Sequence, residues 1–163
     1  MARALIVGCG CRGRALGRAL LDRGWQVRGT SRDPTTVAEI EATGIEGVQA
    51  DPDRIATIVE ELEGVSLIFW LLGSASGEPD RVTALHGDRL ERLLEEIVDT
   101  PVRGVAYELS GGIDQTPVLR ALELLRAAGE RWHMPFEVVD ADPLEHELWL
   151  EGMLAAADGL LDA

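Results

Sequence analysis

The chain has 163 residues, 46% of them hydrophobic, enough for one domain with a sizeable core over residues 1–163. Its formal charge of −14 argues against nucleic acid and anionic membrane as partners, and no stretch reaches the ~18 apolar residues of a membrane span. All fifteen cations are arginine, so any mechanism that requires a lysine is excluded.

A first strand is expected at Ala4-Leu5-Ile6-Val7. It runs into Gly8-Cys9-Gly10-Cys11-Arg12-Gly13 and a helical pattern in which Leu16, Ala19 and Leu20 share a face. Strand, G-x-G-x-x-G, helix is the context in which a dinucleotide's pyrophosphate sits on a helix N-terminus. Gly8 permits the tight turn, Gly10 has no Cβ to block the phosphates, and Gly13 lets the helix pack on the strand. Cys9 and Cys11 have neither C-x-x-C redox spacing nor a second pair for a metal, so no metal is expected. They read as small fillers of a crowded turn, the other reading being a thiol switch beside the phosphates. A strand opening so close to Met1 leaves no room for a leader segment, and a cytoplasmic location is expected.

The second strand, Trp25-Gln26-Val27-Arg28-Gly29, ends in Thr30-Ser31-Arg32. A NAD site wants an acid there to hold the ribose 2′-hydroxyl. A hydroxyl followed by a guanidinium suits a 2′-phosphate instead, so NADP is the expected cofactor and NAD the alternative. Arg12 offers a second guanidinium to that phosphate from the loop. Asp33 is the rival acid, but Pro34 after it makes Asp33 a helix N-cap. Residues 1–32 carry a net +6 and the remainder −20, which fits a multiply charged phosphate ligand on the first unit. Arg14, Arg18 and Arg23 read as the solvated outer face of the first helix.

Val37 and Ile40 mark a short helix ended by Gly44, and residues 47–50 a third strand closing on Asp51-Pro52. Ile55, Ile58, Val59 and Leu62 repeat at helical spacing up to Gly64. Residues 65–72 form a nearly continuous apolar run, as a strand buried on both faces should. A helix follows through Leu90, Leu93, Leu94, Ile97 and Val98, with Asp88 as N-cap. Then come a strand over 102–109, a helix over 119–128, a strand over 136–139 and a last helix over 144–161. Six strands, each followed by a helix, give a doubly wound, mostly parallel α/β sheet of Rossmann type. Its expected order is 3-2-1-4-5-6 with helices on both faces, and the ligand lies across the carboxyl ends of strands one and four.

With these motifs placed, the chain resembles the short-chain dehydrogenase/reductase superfamily, in its atypical branch of NAD(P)-dependent epimerase/dehydratase-like and NmrA-like proteins. The glycine loop, Thr30-Ser31-Arg32, Asp51, the turn Gly73-Ser74-Ala75-Ser76-Gly77 and Ser110-Gly111-Gly112 fall where that family places functional loops. The resemblance implies that Asp51 receives the adenine amino group, that Gly73 passes the adenosine ribose, and that Ala50 and Leu72 wall the adenine. Capping the next helix is the alternative for Asp51. It also implies catalysis by a Ser or Thr after strand five and Tyr-x-x-x-Lys on the next helix. Ser110 stands at the first position, but residues 115–128 hold no tyrosine and no lysine. Ser110 is therefore the catalytic candidate that the resemblance leaves.

The sole tyrosine, Tyr107, reads as a core ring. His86, Glu108 and His133 are further candidates, each read as a loop or surface residue, and His146 lies on a solvated helix face. The chain stops soon after the sixth strand, so the substrate subdomain of extended members is expected to be absent. The resulting expectation is an NADP(H)-binding protein, an oxidoreductase on an unknown small substrate, with a non-catalytic redox sensor or accessory subunit as the alternative. A homodimer is expected through the helix at 90–98 and residues 118–128, with Leu150, Met153, Leu154, Leu160 and Leu161 adding apolar area.

Overall fold

A computed structural model describes residues 2–73, 78–109 and 115–163, with Gln115 described by its backbone alone. The strands are β1 (Arg3–Val7), β2 (Gln26–Ser31), β3 (Glu46–Gln49), β4 (Leu67–Trp70), β5 (Gly104–Glu108) and β6 (Phe136–Val139). They form one parallel sheet in the order β3-β2-β1-β4-β5-β6, the arrangement expected from the sequence. The helices are α1 (Cys11–Asp22), α2 (Pro34–Ala42), α3 (Ile55–Val59), α4 (Pro79–Leu85), α5 (Asp88–Ile97), α6 (Gln115–Trp132) and α7 (His146–Asp162).

The two faces of the sheet bury two cores, and the alternation along each strand decides which side chain joins which. Leu5, Val7, Ile68, Trp70, Val105 and Tyr107 face α3, α5 and α6. Ala4, Ile6, Leu67, Phe69 and Ala106 face α1, α2 and α7. Strands buried on both sides need continuous apolar sequence, which is why residues 65–72 carry no alternation. The regular part of β4 is shorter than that run, but the ladder continues: Ser66 N–H donates to Arg3 O at 2.8 Å and Leu71 N–H to Val7 O at 2.9 Å.

Four expectations change. Glu61 and Leu62 bond back to Ile58 and Val59, so the helix at 55–62 tightens after Val59 rather than running to Leu62. Two helices, not one, follow β4. The first, α4, opens on Glu78 and Pro79 with Asp80 in its first turn. The N-cap of α5 is Gly87, and Asp88 is already helical. The apolar stripe of α5 expected to pair two chains is buried within this one: Leu90, Leu93, Leu94 and Ile97 all pack on its own core. Among the described residues, no helix is long and apolar enough to cross a membrane.

Candidate functional site

The glycine loop is built by close approach. Gly8 has φ +82°, and a Cβ there would lie 2.7 Å from Leu71 O. No L side chain takes that conformation against that wall without strain. At Gly13 a Cβ would sit 3.3 Å from both Ile6 Cγ2 and Cys9 Sγ, which is the tight helix–strand packing the motif demands. Gly10 differs, because a Cβ there would meet nothing within 4 Å. Its missing side chain opens onto space, at the N-cap of α1, which has no side-chain cap and no acid in its first turn. Such an end carries partial positive charge and suits an anion.

Cys9 N–H donates to Thr30 O at 2.9 Å, tying the loop to the end of β2. The Cys9 thiol packs where a Cβ on Gly29 would lie 2.7 Å away, so it is a filler of the turn. Burial pushes its pKa up to about 12 and keeps it protonated. Cys11 is exposed and its sulfur accepts from Arg14 Nη2 at 3.2 Å.

Two cavities meet at the loop, and both are lined by Gly8 and Gly10. The larger, about 310 Å³, lies over the ends of β1 to β4. Thr30, Ser31, Arg32 and Thr36 form its polar wall, and Ala50, Pro52, Leu72 and Leu85 its apolar one, with Arg81 at the rim. The Thr30 hydroxyl is buried and has no hydrogen-bond partner among the described residues. Ser31 Oγ accepts from Asp33 N–H at 3.1 Å, which leaves its own proton to donate. Asp33 caps α2, accepting from Thr35 N–H at 2.9 Å with Pro34 in the first turn.

Asp51 does not line this cleft. Its Oδ1 accepts from Asp53 N–H at 2.9 Å, closing the turn that leads to α3, whose N-cap is Arg54. Asp53 in turn pairs with Arg81 at 2.5 Å and with Arg89 at 3.5 Å, fastening that turn to α4 and α5. Thr36, Pro52, Arg81 and Leu85 are lining residues the sequence reading missed. The Glu78-Pro79-Asp80 helix start was the signal that would have brought Arg81 and Leu85 to the site.

The smaller cavity, about 140 Å³, lies on the β5 side and is lined by Cys11, Arg12, Gly13, Leu71, Glu108 and Trp149 besides the two shared glycines. Arg12 belongs here, not beside Ser31 and Arg32. Its guanidinium lies 5.7 Å from the Trp149 ring centre and 3.6 Å from Glu108 Oε2. Glu108 is 1% exposed, contrary to its reading as a loop or surface residue. It accepts from Gly73 N–H at 3.0 Å and from Trp149 Nε1–H at 2.8 Å.

His86 is likewise not a surface residue but fully buried. Its Nε2 lies 3.0 Å from Leu72 O and its Nδ1 2.5 Å from the Tyr107 hydroxyl. A carbonyl can only accept, so the proton sits on Nε2, and Nδ1 accepts from Tyr107. Burial lowers the His86 pKa and raises that of Tyr107. Tyr107 is thus a core ring, as expected, with its hydroxyl committed to His86. His133 and His146 are exposed, and no metal-binding cluster exists among the described residues. Ser110, the turn 74–77 and Gly111-Gly112 lie outside the described residues.

The residues present fit a dinucleotide: a cradle at Gly10 that a Cβ would fill, an uncapped helix end, and an orphaned hydroxyl at Thr30. Solved structures share the fold. A short-chain dehydrogenase/reductase superfamily protein from Agrobacterium tumefaciens, with bound NAD, superposes at TM-score 0.67 and 22% identity, over 83% of this chain and 48% of that one. UDP-glucuronic acid 4-epimerase from Bacillus cereus, in complex with NAD, gives 0.67 at 14% identity over 83% and 55%. A candidate NAD-dependent epimerase/dehydratase from Bacillus halodurans gives 0.68 at 17% identity over 85% and 69%. The chain thus spans about half the length of the first two. No curated protein matches it. A family model described as NAD(P)H-binding matches residues 8–129, three quarters of the sequence, and the chain belongs to that NAD(P)H-binding family.

Proposed function

We propose that this protein binds NADP(H) in preference to NAD(H), with the 2′-phosphate held by Ser31 and Arg32. The observation that carries this reading is the commitment of Asp33. Its Oδ1 caps α2 by accepting from Thr35 N–H, and Asp33 does not line the cleft. A guanidinium and a hydroxyl line the cleft in its place. Adenine would lie between Ala50, Pro52, Leu72 and Leu85, and the pyrophosphate on the first turn of α1. Titration with NADPH and NADH tests the reading: tighter NADPH supports it, and equal affinities contradict it.

When bound, the cofactor supplies hydride transfer, here to a small substrate, with Ser110 as proton donor by its place two residues beyond Glu108. Tyr107 favours a second reading. Its hydroxyl is buried against His86, and no lysine exists to activate it. A protein without the usual proton donor suits a cofactor sensor or accessory subunit. NADPH consumption over a panel of small aldehydes, ketones, quinones and imines separates the two: turnover supports the enzyme, and binding without turnover supports the sensor.

A further inference from the structure

Glu108 is a buried carboxylate that the 2′-phosphate cleft does not use. Resting on the dinucleotide reading above, we propose that Glu108 is a specificity-determining residue that accepts hydrogen bonds from the vicinal hydroxyls of the ligand's second ribose.

The argument begins with the shape of the site. Both cavities share Gly8 and Gly10, so a ligand whose pyrophosphate lies on the loop runs from one cavity into the other. Arg32 and the apolar adenine wall lie on the larger side. The second half of the ligand enters the smaller side, and Glu108 is the only acid among the described residues that lines it. An ionised carboxylate offers about four acceptor sites. Gly73 N–H takes one on Oε1 and Trp149 Nε1–H one on Oε2. Arg12 Nη2, at 3.6 Å, is an ion-pair contact rather than a short hydrogen bond. Among the described residues, each oxygen thus retains acceptor capacity.

A vicinal diol matches that arrangement, because it presents two neutral O–H donors to two adjacent oxygens. This is the chemistry by which an acid at the end of a second strand holds the adenosine ribose in NAD sites. Here the acid stands at the end of β5. A further phosphate in the same place would be repelled by the carboxylate, so the ligand class is a sugar diol, not a longer phosphate chain. The carboxylate is also held still. The indole pins one oxygen, and the backbone of residue 73 lies so close that only glycine fits, a Cβ there falling 2.9 Å from both Glu108 Cγ and Oε1. A polar group locked by its neighbours in this way is preorganised for a ligand. Burying a charge for packing alone is seldom favourable compared with an apolar side chain.

The test compares two ligands that differ by one ribose: 2′-phospho-ADP and 2′-phospho-ADP-ribose, titrated calorimetrically into the full chain. The second is expected to bind about tenfold tighter or better. Glu108→Gln should remove that gain while leaving the affinity for 2′-phospho-ADP unchanged. Equal affinities in the unsubstituted protein overturn the proposal without reference to any variant. A gain that survives Glu108→Gln overturns it as well, and so does equal weakening of both ligands, which marks Glu108 as a brace of the loop. If neither ligand binds the unsubstituted protein, the cofactor reading falls and this inference with it. Retained binding of 2′-phospho-ADP without a ribose gain removes this inference alone.

Discussion

Gly73 and Glu108 hold each other in place: the Gly73 N–H donates to Glu108 Oε1 at 3.0 Å, and a Cβ on residue 73 would lie 2.9 Å from that same oxygen. The end of β4 and the end of β5 are thereby joined through a carboxylate beside the glycine loop. Gly73→Ala forces this contact apart and should cost ~1–3 kcal/mol of stability, the usual range for overpacking. Urea denaturation of the two proteins measures it, and an unchanged midpoint would show that Glu108 swings freely.

Gly10 makes the opposite case. Its φ of −84° and ψ of −155° suit an L residue, and a Cβ there meets nothing within 4 Å. Gly10→Val should therefore fold with stability within about 1 kcal/mol of the parent, since the position is an N-cap that already lacks a side-chain bond. The added branches fill the volume where pyrophosphate approaches the backbone, so NADPH binding should be lost. Calorimetry showing undiminished binding in a folded Gly10→Val protein would refute the loop assignment.

The sheet order, the glycine loop and the cleft-lining residues at the end of β2 were legible because each rests on local chemistry. Continuous apolar runs name buried parallel strands, and an Asp-Pro pair names a helix start. What was not legible depends on distant pairing. Nothing near Glu108 in sequence announces Trp149, 41 residues on, or the Gly73 amide, 35 residues before. Likewise His86 looks like a loop residue until β5 brings the Tyr107 hydroxyl to its ring. Arg12 could reach either side of the loop, and only the position of Glu108 and Trp149 settles which. The helix at 79–85 was missed for a different reason, since its Pro-Asp start is a local signal that went unread.

The His86 pair predicts a pH dependence. Burial lowers the imidazole pKa in the folded protein, while the unfolded chain keeps the ordinary 6.5. Between those values the unfolded state binds more protons, so the contribution of neutral His86 is full above the ordinary value and is lost as pH falls through the folded one. Stability should decline below about pH 6.5. His86→Gln should flatten that decline, as measured by denaturant midpoints across the acid range. A parallel pH profile in the two proteins would contradict the assignment.

The two cysteines should part company in alkylation. Cys9 is buried with its thiol held protonated, and Cys11 is exposed. Iodoacetamide on the folded protein should add one group, at Cys11, and a second only after denaturation. Peptide mass spectrometry reporting fast modification of Cys9 would show that the loop opens in solution.

The central claim is that Ser31 and Arg32 select a 2′-phosphate, and the affinity ratio of NADPH to NADH in the parent protein and in Arg32→Ala measures it most directly. A charge-assisted hydrogen bond is worth ~1.5–3 kcal/mol, so the substitution should weaken NADPH by about ten- to a hundredfold and leave NADH nearly unchanged. The ratio would then collapse toward unity. A parent protein that binds the two cofactors equally, or an Arg32→Ala protein that keeps its full preference for NADPH, would contradict the account.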